Sequence, residues 1–174
     1  MIMALNFKGK AWVFGDNLDA DLELIPFRER EMGHMKDGNY GRWILTPVDP
    51  DFPKKVKKGD ILVTGTNMGC GHGHQQANIG LMQVGISCVI AESFDRNFFK
   101  NSINLGLPII ELEGIKKFVR QGDELEVDLH KGEIKNLTTK KAMKFTPLPD
   151  FLLEIVEAGG LEAYTNKLIA EGKI

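Results

Sequence analysis

Apolar residues in this chain follow three different spacings, and each predicts a different element. Lys10-Ala11-Trp12-Val13-Phe14 is a short apolar run closed by Gly15-Asp16-Asn17, and it reads as a first strand. Ile61-Leu62-Val63, Cys88-Val89-Ile90-Ala91 and Leu107-Pro108-Ile109-Ile110-Glu111 are further short runs that fit buried strands. Between them Ala77, Ile79, Leu81, Met82 and Val84 lie mostly at helical spacing. Phe94 to Ser102 reads as a short helix capped by Ser93, with Phe94, Phe98, Phe99 and Ile103 turned to the core. The order strand, helix, strand, helix, strand favours parallel pairing with right-handed crossovers.

Further on the period drops to two. Glu124 to Leu129 and Glu133 to Leu137 alternate polar with apolar around Lys131-Gly132, which predicts a hairpin, with another strand at Lys141 to Phe145. Pro147-Leu148-Pro149 then breaks the chain. Asp150 to Ala158 is an amphipathic helix with Leu152, Leu153, Ile155 and Val156 inward, stopped by Gly159-Gly160, and Leu161 to Ala170 is a last helix. Tyr40 to Pro53, with three prolines and a possible strand or helix end at Trp43-Ile44-Leu45, reads as a long connection, either a lid or a surface crossing.

Composition narrows the class. The 174 residues fit a single domain, 1–174, and 43% hydrophobic residues suffice for a packed core. A net charge of −2 gives no electrostatic case for nucleic acid. Lys54, Lys55, Lys57 and Lys58 form one basic cluster, expected to be solvated. With two cysteines, Cys70 and Cys88, a disulfide framework is not indicated, and Cys88 falls in an apolar run expected to be core. Met1 to Phe7 lacks the pattern of a secretory signal, and no run approaches the roughly 18 apolar residues of a membrane helix. The expectation is a cytoplasmic protein with no membrane partner.

The candidate chemistry lies between the second strand and its helix. Gly65-Thr66-Asn67-Met68-Gly69-Cys70-Gly71-His72-Gly73-His74 is a glycine-rich turn. Its glycines allow positive φ and close ligand approach, and it ends at a helix N-terminus, where free N–H groups favour an anion such as a substrate carboxylate. Cys70, His72 and His74 alternate, which raises a metal site, but a structural zinc needs four ligands and no partner pair stands at a standard spacing. The histidines would otherwise be polar loop residues at a helix start. Asp16, Asn17, Asp19 and Asp21 suggest local turns more than a calcium loop, because the EF-hand spacing is absent. Phe27-Arg28-Glu29-Arg30-Glu31 either presents arginines to a carboxylate or forms exposed surface pairs.

Several segments together resemble one family. They are Gly15-Asp16-Asn17-Leu18-Asp19-Ala20-Asp21 with Ile25-Pro26, Met68-Gly69-Cys70-Gly71, Ala91-Glu92-Ser93-Phe94, Phe98-Phe99-Lys100-Asn101, Asn104-Leu105-Gly106-Leu107-Pro108, Asn136-Leu137-Thr138-Thr139 and Glu157-Ala158-Gly159-Gly160-Leu161. In order and spacing they resemble the small subunits of isopropylmalate dehydratase and homoaconitase, the swivel domain of the aconitase superfamily. The resemblance implies an α/β fold: an aconitase-like swivelling β/β/α domain, with a mostly parallel sheet, flanking helices and an added β-hairpin region. It implies a hydro-lyase acting on a hydroxy di- or tricarboxylic acid, active only with a large subunit. It places the [4Fe-4S] cluster on that large subunit, with no cofactor bound by this chain. Self-association of the isolated chain stays open.

The resemblance also assigns roles. Asp21 stands at the family's active-site Asp. The family follows Gly-Cys-Gly with Ser-Ser-Arg-Glu, in which the first Ser is the base and the Arg binds a carboxylate. Here Gly69-Cys70-Gly71 is followed by His72-Gly73-His74-Gln75, so His72 stands at the base position and His74 at the arginine position. An imidazole can accept a proton near neutral pH. The expected catalytic residues are therefore His72 and Asp21. The expected substrate contacts are Cys70, Gly71, Gly73, His74, Arg28 and Arg30, with the two arginines in the loop that reads the substituent. The altered loop leaves the substrate open among substituted malates and homocitrate. A non-catalytic swivel protein and a stand-alone metal binder are the rival readings.

Overall fold

The computed structural model describes residues 5–174, so Met1 to Ala4 of the stretch considered for a leader lie outside the described residues. The chain runs β1 (Asn6–Val13), a π-helical turn (Ala20–Leu24), α1 (Phe27–Glu31), a 3-10 turn (Tyr40–Arg42), α2 (Phe52–Lys55), β2 (Ile61–Thr64), α3 (Gln76–Gln83), β3 (Cys88–Ala91), α4 (Arg96–Leu105) and β4 (Ile109–Glu111). It continues with α5 (Ile115–Phe118), β5 (Glu124–Asp128), β6 (Glu133–Asn136), β7 (Lys141–Lys144), α6 (Asp150–Ala158) and α7 (Leu161–Ala170).

One seven-stranded sheet has the order β4-β3-β2-β1-β5-β6-β7. The pairs β1–β2, β2–β3 and β3–β4 are parallel, as the strand–helix alternation predicts. The pairs β1–β5, β5–β6 and β6–β7 are antiparallel. The hairpin is thus not an appendage: it continues the same sheet. Strand β1 makes this possible by starting at Asn6, four residues before the apolar run. Its carboxyl half pairs Ala11, Trp12 and Val13 with β2, and Asn6 to Lys10 pair with β5. The first half carries no apolar run because its partner is a half-solvated antiparallel strand.

Strands β2 and β3 are buried along their whole length, because helices cover both faces of a parallel sheet. Strand β5 buries only Leu125 and Val127, the alternation expected of a sheet with one wet face. Tyr40 to Pro53 is a packed cover: Ile44, Leu45 and Phe52 are fully buried, and the Phe52 ring meets Trp12 and Phe14 edge-on at 5.0 and 5.8 Å. The basic cluster at Lys54 to Lys58 is exposed, and Cys88 is fully buried. The cap of α4 is Asp95 rather than Ser93, whose hydroxyl instead accepts from the Asn67 N–H at 2.8 Å. Among the described residues no helix is long and apolar enough to cross a membrane.

Candidate functional site

The site forms where the carboxyl ends of β1, β2 and β3 run past the sheet. The glycine-rich loop after β2 remains strand-like between its two neighbours. On one side the N–H groups of Asn17, Gly69 and Ala20 donate to the carbonyls of Thr66, Leu18 and Cys70 at 2.8, 2.9 and 2.7 Å. On the other side the Met68 N–H donates to Ser93 and the Asp95 N–H to Met68, at 3.0 and 2.9 Å. Backbone pairing therefore anchors the loop as far as Cys70, and Gly71 to Gln75 form an exposed rim held by side chains.

The glycines of this loop divide into two kinds. Gly69 and Gly71 have φ of +80° and +99°, where a side chain is disfavoured. Gly65 and Gly73 do not need positive φ, contrary to expectation, but have no room for a Cβ. At Gly65 it would meet the Asp16 carboxylate, and at Gly73 it would lie 2.6 Å from Asn97 Cβ.

Asp21 is the centre of the site. Asp19 caps the π-helical turn, accepting at Oδ1 from the N–H groups of Asp21 and Leu22 at 2.8 and 2.9 Å, and this turns Asp21 inward. The Asp21 side chain is 6% exposed, and Oδ1 accepts from Arg30 Nη1 at 2.6 Å. Its Oδ2 lies 2.8 Å from the His72 backbone nitrogen and 3.0 Å from His72 Nδ1. Burial pushes this carboxyl up, but the Arg30 bond, the His72 N–H and the positive charges nearby outweigh it and hold it below its ordinary value. Asp21 is consequently an anion at neutral pH.

A carboxylate can only accept, so the contact makes His72 Nδ1 the protonated nitrogen of the neutral ring. Nε2 is then left with its lone pair, on a side chain that is 85% exposed. The His74 ring stacks on that of His72 at 6.1 Å and 28°. The His74 N–H donates to the His72 carbonyl at 2.8 Å, which makes His72-Gly73-His74 a tight turn. Beyond it Gln75 precedes α3 with no side-chain cap on the helix. A cavity of about 480 Å³ opens here, lined by Tyr40, Gly73, His74, Gln75, Gln76 and Asn101 among others. Gln76 Oε1 is buried in this region without a partner among the described residues.

The remaining expected residues fall in different places. The Cys70 thiol donates to the Asn17 carbonyl at 3.4 Å. Burial, and then the Asp19 charge, push it up, so it stays a thiol and belongs to the anchored part of the loop. Arg28 is exposed on α1, whereas Arg30 is drawn under the loop to Asp21. Asp19, expected as a local turn residue, is one and orients Asp21 in doing so, whereas Tyr40, Gln76 and Asn101 were not among the expected site residues. A polar residue every few positions along a helix is an ordinary pattern, and only the fold brings Asn101 Nδ2 to the Gly73 carbonyl at 3.1 Å.

The Aconitase C-terminal domain family matches residues 16–114, the segment that carries every one of these contacts. The chain belongs to that family. The isopropylmalate/citramalate isomerase small subunit of Methanocaldococcus jannaschii is 52% identical over 166 residues, covering 95% of this chain and 97% of that protein. The 3-isopropylmalate dehydratase small subunit of Methanosarcina acetivorans is 44% identical, covering 94% and 99%. A crystal structure of 3-isopropylmalate dehydratase from Methanocaldococcus jannaschii superposes with a TM-score of 0.86 at 38% identity, covering 97% of this chain and 99% of that one. The relatives are thus small subunits of isopropylmalate dehydratases, as the motif order implied, and the aconitase-like α/β fold is the one expected. Among the described residues no group of three His, Cys, Asp or Glu side chains is arranged to hold a metal ion. The two cysteines are one anchored thiol and one fully buried thiol, so this chain offers no set of thiolates for an iron–sulfur cluster.

Proposed function

We propose that this chain is the small subunit of a two-subunit, iron–sulfur hydro-lyase of the 3-isopropylmalate dehydratase type, acting on a hydroxy di- or tricarboxylic acid. The observation that carries the reading is the Asp21–His72 pair at the rim of the loop. His72 takes the proton next to the substrate carboxylate on Nε2, and Asp21 fixes the ring and its tautomer. The N–H groups of Gly71 and Gly73 and the His74 side chain receive a carboxylate at the uncapped start of α3. Cys70 holds the loop in place, and Arg28 stands on the outer edge of the substituent-reading segment. Because this chain has no donor set for it, the cluster belongs to the large subunit. Leu22, Phe27 and Met32 are 62%, 47% and 57% exposed beside the site, apolar surface suited to that partner. The assembly is cytoplasmic, with no nucleic acid or membrane partner.

Anaerobic co-expression with a large subunit carrying three cluster cysteines tests this directly. The complex should dehydrate at least one of malate, citramalate, isopropylmalate and homocitrate. A stable, cluster-loaded complex inactive on all four would refute this reading in favour of a non-catalytic swivel protein.

A further inference from the structure

We infer that Arg30 is a positioning residue for His72, acting through Asp21, and not a ligand of the substrate's substituent. The inference rests on the reading of His72 as the proton acceptor. Three contacts hold the guanidinium. Nη1 is 2.6 Å from Asp21 Oδ1, the Phe27 ring centroid is 5.1 Å from the guanidinium carbon, and Nε is 3.8 Å from Glu31 Oε1. The side chain is only 17% exposed. A residue that reads a substrate needs its donors free, and this one has its best donor committed to a buried carboxylate.

The same carboxylate holds His72 by its backbone N–H and its ring Nδ1. Arg30, Asp21 and His72 therefore form a linear chain of cation, anion and imidazole. Without the cation, a nearly buried carboxylate would face the ring uncompensated and would stabilise the imidazolium. A protonated ring cannot accept a substrate proton. The neighbouring acids do not supply the missing charge: Asp19, Glu23 and Asp95 bear electrostatically on the adjacent Cys70, and Glu31 lies 3.8 Å from Arg30 Nε. His74, stacked on the same loop, is itself titratable. Arg30 is thus what lets Asp21 orient His72 without trapping it in the charged form. It also ties α1 to the π-helical turn, so the segment over the site is set by the same bond.

The test is a pH titration of the histidine rings in the full chain, labelled with ¹⁵N-histidine and followed by long-range proton–nitrogen correlation. In the unaltered chain His72 should be the Nδ1–H tautomer above its midpoint. Arg30→Gln should raise that midpoint by about half a pH unit or more, below the roughly 1–3 units of a charge in direct contact. Arg30→Lys, which keeps the charge, should leave it near the original, and the exposed His130 should not move in either. An unmoved His72 midpoint in Arg30→Gln, or an Nε2–H tautomer in the unaltered chain, overturns the inference. If Arg30→Gln does not fold, Asp21→Asn decides, since it keeps an acceptor for the His72 N–H but removes the charge. The midpoint should then fall, and an unmoved one overturns the inference. In the two-subunit enzyme the acid limb of kcat/KM should move with the ring midpoint while the ratio of rates between citramalate and isopropylmalate stays constant. A changed ratio with an unmoved midpoint would make Arg30 a substrate contact after all. A shifted midpoint in a complex that turns over none of the tested acids would refute the catalytic reading and leave the Arg30–Asp21–His72 linkage standing.

Discussion

Helices α3 and α4 each follow a parallel strand, α3 after the long glycine-rich loop and α4 after a short turn, and their first turns are finished in opposite ways. At α4 the Asp95 carboxylate accepts from the N–H groups of Asn97 and Phe98, at 2.8 and 3.3 Å. At α3 Gln75 stands in the corresponding place with no side-chain bond to the turn. A helix start closed by its own carboxylate repels an anion, and an open one attracts it. The open start is the one beside His72, His74 and the polar cavity. The contrast teaches that the fold leaves hydrogen-bonding capacity open at one helix start and uses it for its own stability at the other.

The largest effect expected is on turnover. His72→Ala in the reconstituted enzyme should lower kcat by at least about 100-fold, the low end for a general base. Because the ring is largely exposed, stability should change by no more than about 0.5 kcal/mol in urea unfolding. Normal turnover would remove the difference in role between the two helix starts. Next comes the glycine that lets the loop pack against α4. Gly69→Ala places a methyl group against the Phe98 ring of α4 at a φ of +80° and should cost about 2 kcal/mol or more in the same assay. A smaller cost would mean that the loop and α4 can separate freely. Asp95→Ala should cost about 1 kcal/mol as a lost cap. If turnover falls further than this stability loss explains, α4 is part of the site as well.

The smallest effect is a pH dependence. Asp21 is held below its ordinary value in the folded chain, so it contributes stability that is complete above the unfolded value of about 4. That contribution is lost as pH falls through the lower, folded value. The gap in urea midpoint between the unaltered chain and Asp21→Asn should therefore be full at pH 7 and shrink steadily below pH 4. A gap that persists unchanged into strong acid would mean that Asp21 acts by shape alone.

Much of the fold was legible in the spacing of apolar residues. The parallel core from β2 to β4 is a set of buried runs separated by helical spacing, and burial on both faces writes an unmistakable pattern. The hairpin could be read for the complementary reason, since one wet face forces alternation. What could not be read was the pairing of β1 with β5, because a polar strand half has no local signature. The cap of α4 was misplaced by two residues because Ser93 and Asp95 are both good caps, and only the loop contact of Ser93 decides between them. The packed cover from Tyr40 to Pro53 was illegible because its prolines and short turns look like any surface crossing until Phe52 is seen against Trp12.

The sequence alone determined the family, the glycine-rich loop and the identities of Asp21, His72 and His74, because these depend on residue type in a fixed order. Only the tertiary structure decided what each one touches. It closed Arg30 onto Asp21, aimed Asp21 at His72 Nδ1 and turned Nε2 outward. Those contacts join residues 9 and 51 positions apart, and chain spacing carries no information about distances of that kind until the sheet brings the loops together.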